Sequence, residues 1–190
     1  MLYLLRHGQT DWNAEHRLQG QRDVPLNAVG RAQARANGER LATIVPNREG
    51  LRFVASPLGR TRETMEIVRS ALGLVPGDYA TDERLLEITF GEWEGHTLEE
   101  LWVDDPALVK GRKKEKWHFV PPGGESYAML AERTVPVLEG LAGDTLVVSH
   151  GGTMRTLIRH LTDGDEQEWA NFSIPQDRIW IWNGENGEWA

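Results

Sequence analysis

Short apolar runs alternate along the chain with longer segments whose apolar positions recur at helical spacing, the pattern of an α/β fold with a largely parallel sheet. Leu2 to Leu5 is the first predicted strand. After a polar loop, Asn27 offers a capping side chain for a helix over about Ala28 to Ile44. Ala32, Ala36 and Leu41 fall near one face of that helix, and Pro46 lies beyond its end. Arg52 to Ala55 is a second short strand. Ser56-Pro57 then sets a capping hydroxyl before a proline suited to a first helical position, which predicts a helix through about Leu72, stopped by Gly73.

The stretch from Asp82 to Gly95 reads as irregular or partly extended, and Leu98 to Trp102 as a short helix. A helix from about Ser126 to Leu141 leads into Thr145-Leu146-Val147-Val148-Ser149, whose uninterrupted apolar character suits a strand buried on both faces. Gly151-Gly152 opens a further helix to about Leu161. Arg178 to Trp182 alternates with period two, which predicts a late strand at a sheet edge. The tryptophans there, Trp180 and Trp182 with Trp189, suit internal packing and an interface equally. No internal repeat, low-complexity tract or linker divides the chain, so residues 1–190 are expected to form one domain.

Composition narrows the chemistry. With no cysteine, disulfide frameworks, thiolate metal sites and cysteine nucleophiles are excluded. The net charge of −8 opposes nucleic-acid binding, so any anionic ligand needs a local cationic pocket. All four lysines, Lys110, Lys113, Lys114 and Lys116, fall in one short segment before Pro121-Pro122-Gly123-Gly124. The N-terminus lacks the layout of a signal peptide, and no apolar run approaches the length of a membrane span. A soluble cytoplasmic protein is expected, without nucleic-acid or membrane partners; monomer and homodimer are both open.

Two predicted strands end alike: Leu4-Leu5 runs into Arg6-His7-Gly8, and Val148-Ser149 into His150-Gly151-Gly152. In parallel sheets ligands sit outside the carboxyl ends of strands, so the two imidazoles are expected to converge there. Arg60 falls in the first turn of the helix after the second strand, where a guanidinium fork and free N–H groups favour an anion. Arg6, His7, Arg60 and His150 would form a compact anion pocket.

The segments carrying these residues resemble the histidine phosphatase superfamily, which includes the cofactor-dependent phosphoglycerate mutases. L-L-R-H-G-Q-T-D-W-N at 4–13 is similar to its phosphohistidine signature, and S-P-L-G-R-T-R-E-T at 56–64 to its second arginine motif. E-I-T-F-G-E-W-E-G at 87–95 resembles its acid-bearing segment, and G-G-E-S at 123–126 and V-V-S-H-G-G at 147–152 its later motifs. Thr61 and Pro57 depart from the family's frequent residues without touching the proposed chemistry.

The resemblance implies a three-layer α/β/α fold with a mostly parallel central sheet and a variable lid at about 96–122. It implies that His7 is the nucleophile, that Arg6, Arg60 and His150 stabilise the transferring phosphoryl group, and that Glu87 is the general acid. Apolar Leu85, Leu86, Ile88 and Phe90 around Glu87 are expected to desolvate it and raise its pKa. Glu83, Glu92 and Glu94 are weaker rivals for that role. Asn13, Gln19, Gly20 and Gly151 carry over as phosphate or substrate contacts. No cofactor or metal is expected, and His16, His96, His118 and His160 receive no role. The lysine segment would lie in the lid, either gripping a second anionic group or merely solvated.

A metal-independent phosphomonoesterase acting on a small phosphorylated metabolite is the favoured expectation, because the chain is compact and its acid-bearing segment looks more like the phosphatase branch. A phosphoglycerate mutase shares the same constellation and is the alternative. A non-catalytic phosphate-docking module would keep the pocket without turnover, and a two-histidine phosphodiesterase lacks its repeated motif here.

Overall fold

The computed structural model describes residues 1–45, 48 and 50–190. The elements run β1 (Leu2–Arg6), α1 (Asp11–Ala14), α2 (Ala28–Ile44), β2 (Arg52–Ala55), α3 (Gly59–Ala71), β3 (Ala80–Thr81), α4 (Leu98–Asp104), α5 (Pro106–Lys114), α6 (Tyr127–Thr134), α7 (Pro136–Glu139), β4 (Thr145–Ser149), α8 (Gly151–Thr162), α9 (Glu166–Asn171), β5 (Ile179–Trp182) and β6 (Gly187–Trp189). Short 3₁₀ turns at Glu83–Leu85 and Gly91–Trp93 punctuate the segment read as irregular.

The strands form one sheet in the order β3-β2-β4-β1-β5-β6. β3, β2, β4 and β1 are parallel, and β5 and β6 add an antiparallel flank. β4 lies inside the parallel set and is buried at every position, as its continuous apolar run requires. One sheet face packs Tyr3, Leu5, Phe53 and Val148 against Leu41 of α2 and Met65 and Val68 of α3. The other packs Leu4, Val147 and Trp180 against Val137 of α7 and Met154, Leu157 and Ile158 of α8. The three-layer α/β/α expectation therefore holds, with alternate strand residues feeding opposite cores.

Local chemistry explains both the agreements and the differences. Asn27 caps α2 by accepting from the Gly30 N–H. The buried face of α2 is Gly30, Ala34, Asn37, Gly38 and Leu41, whereas Ala32 and Ala36 are exposed, correcting the predicted stripe by a rotation about the helix axis. Pro46 lies outside the described residues. α3 starts at Gly59 behind Leu58, so Ser56 is not its cap and Pro57 not its first residue. Arg60 nonetheless stays in its first turn, and Leu72 ends it before Gly73 at φ +75°. The helix predicted over 126–141 is two pieces, because Pro136 has no N–H to continue α6 and starts α7 instead.

β5 is not the edge strand, since β6 pairs outside it. Trp180 and Trp182 stack with ring centroids 5.6 Å apart, and Trp189 packs against the same core, so this end of the sheet is internally packed. The region at 96–122 holds α4 and α5. Among the described residues no helix is long and apolar enough to cross a membrane.

Candidate active site

Register places the two histidines side by side. β1 and β4 pair with Arg6 level with Ser149, so the next residue on each strand is a histidine, and the His7 N–H still donates to the Ser149 carbonyl at 2.9 Å. The rings lie edge-on with centroids 5.2 Å apart, and both are buried. A cavity of about 120 Å³ opens beside them, and all nine sequence-predicted residues except His150 line it: Arg6, His7, Asn13, Gln19, Gly20, Arg60, Glu87 and Gly151. His150 sits directly behind, touching His7.

The tautomer of His7 follows from its partner. Nδ1 lies 2.7 Å from the Gly8 carbonyl oxygen, which only accepts, so Nδ1 carries the proton and Nε2 keeps its lone pair. Burial holds His7 well below the usual histidine pKa, and the Arg60 and Arg6 charges reinforce this. The ring is therefore neutral at pH 7. His150 is lowered in the same direction, by burial first and then by Arg60, His7 and Arg6. Its Nε2 lies 2.7 Å from Ser56 Oγ, while Nδ1 is buried without a partner. Ser56, expected to cap a helix, orients this imidazole instead.

The arginines differ in how much each has left to give. Arg60 donates from Nη1 to the Arg22 carbonyl (2.6 Å) and from Nη2 to the Gly20 carbonyl (2.8 Å). Gln19 satisfies both its neighbours when its amide nitrogen faces Thr10 Oγ1 (2.7 Å) and its oxygen accepts from Arg60 Nε (3.0 Å) and Nη1 (2.9 Å). Gln19 and Gly20 thus hold Arg60 in place as much as they line the cavity. Gly20 sits at φ +54°, and a Cβ there would overlap the Glu94 carboxylate, so glycine is needed to bring this carbonyl to Arg60. Arg6 donates from Nη1 to the Ile174 carbonyl (2.8 Å) and leaves Nε buried and unpartnered. Burial lowers both guanidinium pKa values to about 10, so both stay charged at neutral pH.

Glu87 stands in a setting different from the one its neighbours predict. Leu85 and Ile88 are buried, but the carboxylate docks on the start of α8. Oε2 accepts from the Gly152 N–H (3.0 Å), and Oε1 from the N–H groups of Thr153 (3.2 Å) and Ile88 (2.9 Å). The positive end of the helix is thus used to position a carboxyl group. A Cβ at residue 152 would approach Glu87 Oε1 to well inside 3.0 Å, so the second glycine of the His-Gly-Gly run makes room for this carboxylate. Glu94, the rival, is spent on Gln21, Thr89 and Phe90. Asn13 Oδ1 is likewise spent, on the Thr10 N–H (3.2 Å) and Gln176 Nε2 (3.0 Å), which leaves its amide nitrogen to donate.

Sequence reasoning missed five lining residues, Ile88, Phe90, Tyr127, Gly152 and Arg155. Arg155 stands four residues after Gly151, on the same face of α8 one turn on, and Tyr127 opens α6 directly after the G-E-S motif. Helical spacing from the motif glycine was the available signal for Arg155. Of the lysine segment, Lys110, Lys113 and Lys114 are exposed, while Lys116 and its neighbour Arg112 are partly buried.

The family model described as histidine phosphatase superfamily (branch 1) matches residues 2–190. A relative named probable phosphoglycerate mutase GpmB, from Salmonella paratyphi C (strain RKS4594), is 36% identical over 166 residues, covering 83% of this chain and 72% of its own length. Among solved structures, a mycobacterial glucosyl-3-phosphoglycerate phosphatase in complex with VO3 superposes with a TM-score of 0.79 at 30% identity, covering 100% of this chain and 95% of its own. A putative α-ribazole-5'-phosphate phosphatase from Escherichia coli K-12 gives a TM-score of 0.81 at 25% identity, covering 100% and 93%.

Proposed function

The chain belongs to the histidine phosphatase superfamily, branch 1, and from that premise we propose that it hydrolyses phosphomonoesters through a phosphohistidine formed on His7. The observation that carries this reading is a neutral His7 whose proton is fixed on Nδ1, set beside buried Arg60 and half-buried Arg6, each with an N–H to spare. A nucleophile that already holds its lone pair needs no separate base.

In the first step His7 Nε2 attacks phosphorus, the P–N bond forms, and the bond to the leaving oxygen breaks. Glu87 gives that oxygen its proton. Arg6 Nε, the remaining Arg60 N–H, the Gly151 N–H and Asn13 Nδ2 are the donors available to the phosphoryl oxygens, where positioning and electrostatics supply most of the catalysis. With Ser56 donating to Nε2 of His150, Nδ1–H of His150 joins them. In the second step Glu87, now a carboxylate, takes a proton from water as its oxygen attacks phosphorus. The P–N bond breaks, inorganic phosphate leaves, and His7 returns to its starting tautomer.

A mutase reading keeps every residue and replaces water by a substrate hydroxyl. The relative named probable phosphoglycerate mutase favours it, and the two phosphatase-named structures favour hydrolysis. The test is phosphate release from a panel holding 3-phosphoglycerate, sugar phosphates, nucleotides and α-ribazole phosphate, with His7→Ala as control. Release that disappears in the variant is the expected result. Exchange of phosphoryl groups between positions of phosphoglycerate, stimulated by 2,3-bisphosphoglycerate and without phosphate release, would replace hydrolase by mutase.

A further inference from the structure

The chain between α9 and β5, residues 172–178, carries none of the sequence motifs and does not line the cavity, yet it meets the functional side chains from behind. The Phe172 carbonyl accepts from Arg155 Nε (2.7 Å), and the Ile174 carbonyl from Arg6 Nη1 (2.8 Å). Gln176 reaches furthest: its Nε2 donates to the His7 carbonyl (3.1 Å) and to Asn13 Oδ1 (3.0 Å). A carbonyl only accepts, so the amide nitrogen of Gln176 is the atom that must face both.

Two contacts from α2 hold this segment in place. Asn37 Nδ2 donates to the Gln176 carbonyl (2.9 Å), and Arg40 Nη1 to the Asp177 carbonyl (2.6 Å). Asn37 is buried on the inner face of α2 among Ala34, Gly38 and Leu41, where an amide is costly unless its hydrogen bonds are made. It makes them by fixing the main chain that carries Gln176.

The consequence falls on Asn13. Its Oδ1 has two lone pairs, which the Thr10 N–H and Gln176 Nε2 fill, and among the described residues its Nδ2 has no partner. Turned over, the Asn13 amide would set its nitrogen against two N–H donors and its oxygen towards the phosphoryl oxygens. We propose that Gln176 is a positioning residue for the phosphoryl site: it holds the Asn13 amide with nitrogen towards the substrate and ties the His7 main chain to the same point. This rests on the phosphoryl-binding role of Asn13 in the phosphomonoesterase reading, and it names the group that orients that donor.

Calorimetric titration with inorganic phosphate reads the effect without turnover. Gln176→Glu keeps the side-chain length but offers only acceptors to Asn13 Oδ1 and the His7 carbonyl, and Gln176→Leu removes the donor without adding a charge. Phosphate affinity should fall by about tenfold or more in Gln176→Glu, the worth of a hydrogen bond to a charged oxygen, and several-fold in Gln176→Leu. In an Asn13→Ala background most of either loss should vanish, because two residues acting through one hydrogen bond are not additive. The spectroscopic signature is the Asn13 side-chain amide in a proton–nitrogen NMR spectrum, identified by its loss in Asn13→Ala. Phosphate should shift it in the wild type and shift it much less in Gln176→Leu. Equal losses in both backgrounds, an Asn13 amide that answers phosphate identically in wild type and Gln176→Leu, unaltered affinity in both Gln176 variants, or a wild type that binds no phosphate would overturn the assignment. Phosphate release from p-nitrophenyl phosphate tests the hydrolase reading separately: coupled losses of binding without any release would retain the role of Gln176 and reject the hydrolase.

Discussion

Lowering the pH from 7.5 to 5.0 should strip stability from this protein well before its carboxylates titrate. His7 and His150 are buried, and both are held well below the ordinary histidine value of 6.5 by burial and by the Arg60 and Arg6 charges. Below pH 6.5 the unfolded chain therefore binds two protons that the folded one refuses. Stability must fall with pH by about 1.4 kcal/mol per pH unit for each histidine, about 2.7 for the pair. With both folded imidazoles neutral throughout, the loss from pH 6.5 to 5.0 is about 3 kcal/mol, a large part of a typical domain's 5–15 kcal/mol. The assay is the urea midpoint and slope at half-unit pH steps in phosphate-free buffer, for the wild type and His7→Ala. The variant should show about half the wild-type slope over pH 6.5–5.0, since one imidazole remains. A flat wild-type profile across this range, or identical slopes in the two proteins, would refute the burial and charge reasoning for the pocket.

Gly152→Ala should displace the Glu87 carboxylate, because the new methyl group occupies the space of Oε1; kcat should fall by about tenfold or more with little change in phosphate affinity, and an unchanged kcat would detach Glu87 from the chemistry. Glu87→Gln should slow turnover most for substrates with poor leaving groups, measured as a steeper dependence of log kcat on leaving-group pKa; parallel lines would move the acid elsewhere. Lys116→Met should stabilise the ligand-free protein. An ammonium lowered from 10.5 to about 7 costs about 5 kcal/mol if wholly withdrawn from water, and partial solvation leaves about 1–2 kcal/mol. The folded chain gives up this proton near pH 7 and the unfolded one near 10.5, so the cost is complete below pH 7 and fades as pH rises. The variant's advantage in Tm should accordingly be largest near pH 6 and shrink towards pH 10.

The sheet was legible because β4 could only be a doubly buried strand, and the two histidines were legible because both followed such strands directly. What the one-dimensional pattern lacked was register: nothing in either segment says that Arg6 stands level with Ser149, and that alignment puts His7 against His150. Long-range pairing also reassigned Ser56, whose local context as a helix cap was sound but lost to a hydrogen bond with His150. Apolar neighbours around Glu87 suggested desolvation, whereas its carboxylate reaches backbone N–H groups far along the chain on α8. The lysine cluster was visible as a run, but only the fold separates Lys116, turned towards Tyr127, from three solvated neighbours.

The central claim, a phosphohistidine on His7, is tested most directly by trapping it. The enzyme would be mixed with a turned-over phosphomonoester, quenched in alkali to preserve the P–N bond, digested, and its peptides weighed. One phosphoryl group on the peptide carrying His7, absent from His7→Ala and accumulated in Glu87→Gln, where water is poorly activated, is the predicted result. Turnover that leaves no label, or a label that persists in His7→Ala, would contradict it.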